Sequence, residues 1–129
     1  MTKFSDICNE KEKHILENFN KGIMYLRKTK DLYFLCRGLT SRADMYISLG
    51  ILDKANDDLD EVYDILIRSD LKKNFADWYI VAIKLELNND IEKANTYFLE
   101  AKKLSKEIDQ YFIFKEELKK LEPNFNKVI

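Results

Sequence analysis

The sequence predicts an all-α chain of about six antiparallel helices, and three observations predict it. Apolar residues recur at three- and four-residue steps, and no stretch alternates apolar and polar residues over a strand's length. Only three Gly and one Pro occur in 129 residues, so the connections are expected to be few and short. Charged residues make up 35% of the chain, above the ~25% of an ordinary domain, as suits long helices with solvated faces. At this length a single domain, residues 1–129, is the expectation.

Asp6 and Asn9 are the alternative caps of the first helix, whose apolar stripe is Ile15, Leu16, Phe19, Ile23 and Leu26. Gly22 interrupts the pattern at a cost of about 1 kcal/mol relative to Ala, which a close helix approach would explain. Thr29-Lys30-Asp31 is the break, with Asp31 as the next cap. The second helix carries Leu32, Leu35, Cys36, Leu39, Ala43, Tyr46 and Ile47 on one stripe and ends at Gly50. Asp53 starts a third helix, with Ala55, Leu59, Val62, Leu66 and Ile67 aligned, and Ser69-Asp70 follows.

The fourth helix, about 71–87, is apolar nearly all round, which requires cover from neighbouring helices or from a second chain. Asn88-Asn89-Asp90 closes it, and Ile91, Ala94, Phe98, Ala101, Leu104 and Ile108 form the stripe of the fifth. Asp109 marks the next turn, and a sixth helix runs to about Leu121 before Pro123. It opens with Tyr111-Phe112-Ile113-Phe114. Four adjacent apolar residues point all around a helix, so one or two must be exposed or meet a partner. The tail residues Phe125, Val128 and Ile129 either fold back or dock into another copy. Tyr111, Phe112, Phe114 and Phe125 are therefore the candidate self-association residues, for a homodimer.

The chain also repeats itself. Ala94, Phe98 and Ala101 each lie 39 residues after Ala55, Leu59 and Val62. Trp78, Ala82 and Leu85 lie 39 residues after Leu39, Ala43 and Tyr46. A shared offset over six positions is stronger evidence than any single match.

Trp78, Val81-Ala82 and Leu85, followed by Ala94, Phe98 and Ala101, resemble the tetratricopeptide repeat, a helix-turn-helix unit of about 34 residues. Leu39, Arg42-Ala43, Tyr46, Gly50, Ala55, Leu59 and Val62 resemble it less closely, because Arg42 replaces an apolar residue. The two units span about residues 36–69 and 75–108, with a capping helix at about 109–121. The longer pitch is similar to that of bacterial regulatory repeat proteins.

The resemblance implies an α-solenoid with an N-terminal helix and a C-terminal cap. It also implies a concave, partner-binding face showing Arg37, Thr40, Ser41 and Asp44 from one unit and Tyr79, Ile83 and Glu86 from the next. Arg37 and Asp44 would orient an extended segment, and Tyr79 and Ile83 would take an apolar side chain. Chaperone-binding members of the family clamp a C-terminal carboxylate. Asp44 would repel one, so that function is not expected here.

Other classes find little support. Lys+Arg 22 against Asp+Glu 23 gives a net charge of -1, and Arg occurs only at 27, 37, 42 and 68. No nucleic acid and no membrane partner is expected. The start lacks the apolar stretch of a signal peptide, and Cys8 and Cys36 lack CxxC spacing. Reduced thiols in a cytoplasmic chain are the expectation.

His14 is the only His, and no HExxH, P-loop or GxGxxG motif occurs. Catalysis, metals and cofactors are not expected. Asp57-Asp58, Asp60-Glu61 and Glu116-Glu117 read as solvated faces. The sequence therefore points to a non-catalytic protein- or peptide-binding module, adaptor or regulatory. The alternatives are a self-associating structural protein and an antagonist that sequesters a transcription factor or enzyme.

Overall fold

The computed structural model describes residues 8–108 and 111–125. Asp6, Asp109, Val128 and Ile129, singled out above, lie outside them. The described residues hold six α-helices, one 3-10 turn and no strand. The chain divides into two compact units, Met1–Ile65 and Leu66–Ile129.

In the first unit, α1 spans Glu10–Thr29. Asn9 is its cap: its side chain accepts from the Glu12 N–H at 2.8 Å, and Glu12 accepts from the Asn9 N–H at 3.0 Å. This reciprocal box satisfies two otherwise unpaired amide donors. Glu10 and Glu12 in the first turn and Arg27 and Lys28 in the last oppose the helix dipole. After a break at Lys30, in the left-handed region at φ 58°, Asp31 caps α2 by accepting from the Phe34 N–H at 3.1 Å. Helix α2 is Leu32–Ser48 and buries Leu35, Cys36, Leu39, Thr40, Ala43 and Tyr46.

Helix α1 meets α2 at Gly38, not at Gly22. A methyl at Gly38 would lie 3.3 Å from Ile23 Cγ1 and 3.7 Å from Leu26 Cδ1, whereas a methyl at Gly22 meets nothing within 4 Å. Gly50, at φ 77°, turns the chain into α3, Leu52–Leu66. The helix starts one residue before Asp53. Ala55, Leu59, Val62 and Leu66 form its buried stripe.

In the second unit, α4 is Lys72–Leu87 and α5 is Ile91–Glu107. Asp90 caps α5, its side chain accepting from the Lys93 N–H at 3.2 Å. Helix α6 is Phe112–Leu121, and Pro123 sits in the 3-10 turn Glu122–Asn124 that follows it. The core joins Ala76, Ile80 and Ile83 of α4 to Phe98 and Ala101 of α5, together with Ile108 and with Phe114, Leu118 and Leu121 of α6. Phe125 closes it, stacked on Phe98 at 4.6 Å. The tail therefore folds back at this residue. The nearly all-apolar α4 finds its cover within the one chain: Trp78, Ile80, Val81, Ala82, Ile83 and Leu85 are all buried.

The two hairpins share one plan. Ser48 and Leu87 end the first helices, and Leu52 and Ile91 start the second, so each turn is three residues long at the same 39-residue offset. Ala55 and Ala94 are each the fourth residue of their helix, and each is fully buried. The other five matched pairs are buried too: Leu39 and Trp78, Ala43 and Ala82, Tyr46 and Leu85, Leu59 and Phe98, Val62 and Ala101. A small residue at the wedge position lets two helices approach closely while large neighbours interdigitate around it.

Candidate functional site

The first unit holds a polar seam across three helices. Arg42 of α2 donates to both carboxylate oxygens of Asp58 on α3, at 2.8 and 2.7 Å, and through Nη1 to the Asn20 side chain of α1 at 2.8 Å. Asp58 is only 5% exposed. Below it, Arg27 of α1 makes a two-pronged pair with Glu61 of α3, one arm at 2.9 Å. The Arg27 hydrogen bond holds the Glu61 carboxyl below its ordinary range, outweighing the opposing effect of burial.

Asp57 and Asp60 are exposed, as the sequence suggested, but Asp58 is buried and Glu61 is half-buried in an ion pair. Asp58 and Glu61 each match an arginine supplied from another helix, a pairing that helical spacing within one element cannot reveal. Arg42, the departure from the repeat pattern, is the residue that makes burial of Asp58 tolerable. Cys36 lies fully buried beside this seam, and burial pushes its thiol up to about 11.

The predicted partner-binding residues fall in two sets. On α2, Arg37 and Ser41 are exposed, Asp44 is half-buried and Thr40 is buried. The Arg37 guanidinium lies over the rings of Tyr33 and Phe34, at 5.9 and 6.0 Å. On α4, Tyr79 is half-buried, but Ile83 is fully buried and Glu86 is 4% exposed. Thr40, Ile83 and Glu86 are therefore corrected from surface to interior. Ile83 belongs to the core. Glu86 locks the α4–α5 turn: its side chain accepts from Asn89 at 3.4 Å and lies 3.8 Å from Lys93 Nζ, and its carbonyl accepts from the Asp90 N–H at 2.7 Å.

The predicted self-association set is corrected in the same way. Phe114 is 1% exposed, Phe125 stacks on Phe98, and the Tyr111 hydroxyl donates to Asp77 of α4. Phe112 alone of the four is exposed, at 71%, beside Ile113 at 67%. The helix phase explains the split: Phe114 faces inward with Leu118 and Leu121, and the two residues before it turn out.

Tyr79 opens onto a recess of about 240 Å³ between α4 and α5, lined by Phe75, Tyr79, Glu100, Lys103, Leu104 and Glu107. Phe75 and Tyr79 stack at 5.2 Å, Trp78 lies 5.3 Å from Tyr79, and the Tyr79 hydroxyl donates to Glu100 at 3.2 Å. The floor is aromatic and the rim charged. Glu100, Lys103, Leu104 and Glu107 fall at steps of three, four and seven on α5, one stripe of one helix. That spacing is visible in the sequence. What hid the site is that it becomes a recess only when α4 lays Phe75 and Tyr79 beside it.

Among the described residues no group of three or more His, Cys, Asp or Glu is placed to hold a metal ion, and His14 is exposed on α1. No helix among them is long and apolar enough to cross a membrane. No protein-family model matches the sequence, and no curated protein or solved structure matches it.

Proposed function

We propose that this chain is a non-catalytic interaction module of tetratricopeptide-like type. In this reading it is an adaptor or regulator that engages a peptide segment or partner helix through the α4–α5 recess. One observation carries the reading: a single hairpin plan occurs twice, with the same turn length, the same buried alanine wedge and the same six buried positions. A chain that duplicates its scaffold is free to vary the surface side chains on each copy, and repeat proteins bind through those side chains.

The recess supports this reading further. Its volume of about 240 Å³ falls below the roughly 300–1,000 Å³ of small-molecule sites and suits one side chain of a longer ligand. A buried Cys36 thiol held neutral at cytoplasmic pH fits a reducing compartment. Sequestering a transcription factor or an enzyme is one form such a regulator takes.

Affinity capture with the full chain and with Tyr79→Ala, each checked for helicity by circular dichroism, tests the proposal. A polypeptide retained by the parent and lost by the variant is expected. Equal retention by a folded variant removes the recess as the binding face.

A second reading, self-association, is favoured by the adjacent exposed Phe112 and Ile113. Light scattering distinguishes it. A dimer that Phe112→Ser with Ile113→Ser converts to monomer supports this reading, and a parent that is monomeric at micromolar concentration removes it.

A further inference from the structure

We infer that the α4–α5 recess selects a cationic side chain, Lys or Arg, from its peptide partner. This rests on the recess being the binding face, as proposed above, and adds the chemistry of the ligand.

The rim carries Glu100 and Glu107 against Lys103, one net negative charge around a small opening. The Tyr79 hydroxyl holds the Glu100 carboxylate at the edge of the aromatic floor. Among the described residues no salt bridge engages Lys103 or Glu107, so both charges are solvated and able to respond to a ligand.

The floor makes the same choice. Phe75 and Tyr79 are stacked at an interplanar angle of 23°, and a cation seated over ring faces is attracted by their quadrupoles. A carboxylate would meet two like charges and the electron-rich faces. An aliphatic group would gain the floor but would strip water from the rim carboxylates without replacing it. A Lys or Arg satisfies both: its stem lies along Leu104 and the rings, and its head reaches Glu100 or Glu107. The protein already uses this pairing elsewhere, with Lys93 5.8 Å from the Tyr97 ring centroid beside Glu86.

Trp78, the only Trp in the chain, touches both floor residues, at 5.8 Å from Phe75 and 5.3 Å from Tyr79. Its fluorescence therefore reports occupancy. The test selects random dodecapeptides displayed on phage against the full chain, then titrates the enriched synthetic peptides by Trp78 emission. Enriched peptides should share a Lys or Arg, and replacing that residue with norleucine should weaken binding about tenfold or more. Glu100→Gln with Glu107→Gln should weaken it similarly, and Lys103→Gln should strengthen it.

Peptides that bind at the recess without a shared cation, or with one indifferent to the Glu100 and Glu107 changes, overturn the cation claim and leave the binding face standing. Enriched peptides that bind Tyr79→Ala as tightly as the parent overturn both, as does a selection that enriches nothing.

Discussion

Arg42 and Asp58 form the interaction whose loss is easiest to foresee. Their side chains are 16% and 7% exposed, and breaking such a pair leaves a charge stranded in the interior. Arg42→Ala is expected to destabilise the protein by about 3 kcal/mol in urea denaturation. The second hairpin supplies the remedy, because Val81 and Tyr97 stand 39 residues after Arg42 and Asp58. The double change Arg42→Val with Asp58→Tyr should cost less than the two single changes Arg42→Val and Asp58→Tyr summed, with a coupling of about 1–3 kcal/mol. Additive losses would contradict the reading that the two positions exchange one solution for another.

Cys36 gives a second expectation at this scale. With its thiol pushed up to about 11, about one molecule in a thousand carries the thiolate at pH 8. The side chain is also fully buried. Iodoacetamide should leave Cys36 unmodified in native protein and alkylate it in urea, as read by peptide mass spectrometry. Rapid native labelling would contradict the buried placement.

At the scale of elements, the two glycines of the first hairpin separate helix propensity from packing. Gly22 has open space around its α-carbon, so Gly22→Ala is expected to stabilise the protein by about 0.5–1 kcal/mol. Gly38 faces Ile23 and Leu26, so Gly38→Leu is expected to cost about 1–3 kcal/mol as α1 is levered off α2. Both are read from urea midpoints. Stabilisation by Gly38→Leu would contradict the α1–α2 crossing.

Helix boundaries were largely legible beforehand because they are local chemistry. Asn9 and Asp31 cap through their own side chains, and Gly50 takes a backbone conformation other residues avoid; Asp90, legible only as part of a break, caps α5 in the same way. Which glycine marks the crossing was not legible. Both lie in helical patterns, and only the partner helix tells them apart. The same limit applies to Ile83, Glu86 and Thr40. On an apolar or mixed helix, periodicity alone cannot say which of two neighbouring stripes the next element will cover.

For the whole molecule, the all-α class and the 39-residue periodicity followed from sequence because burial of the six matched pairs is enforced by residue size and spacing. The recess did not follow, since its floor and rim come from different helices. The reading of the chain as an interaction module stands on the repeated hairpin plan, and its binding face stands on that recess being the place where a partner arrives.

The most direct measurement is therefore amide and side-chain chemical-shift mapping of the isotopically labelled full chain, titrated with a peptide enriched by selection. Shifts concentrated at Phe75, Tyr79, Glu100, Lys103, Leu104 and Glu107 are expected. Saturating binding that leaves these six residues unmoved would contradict the proposed function.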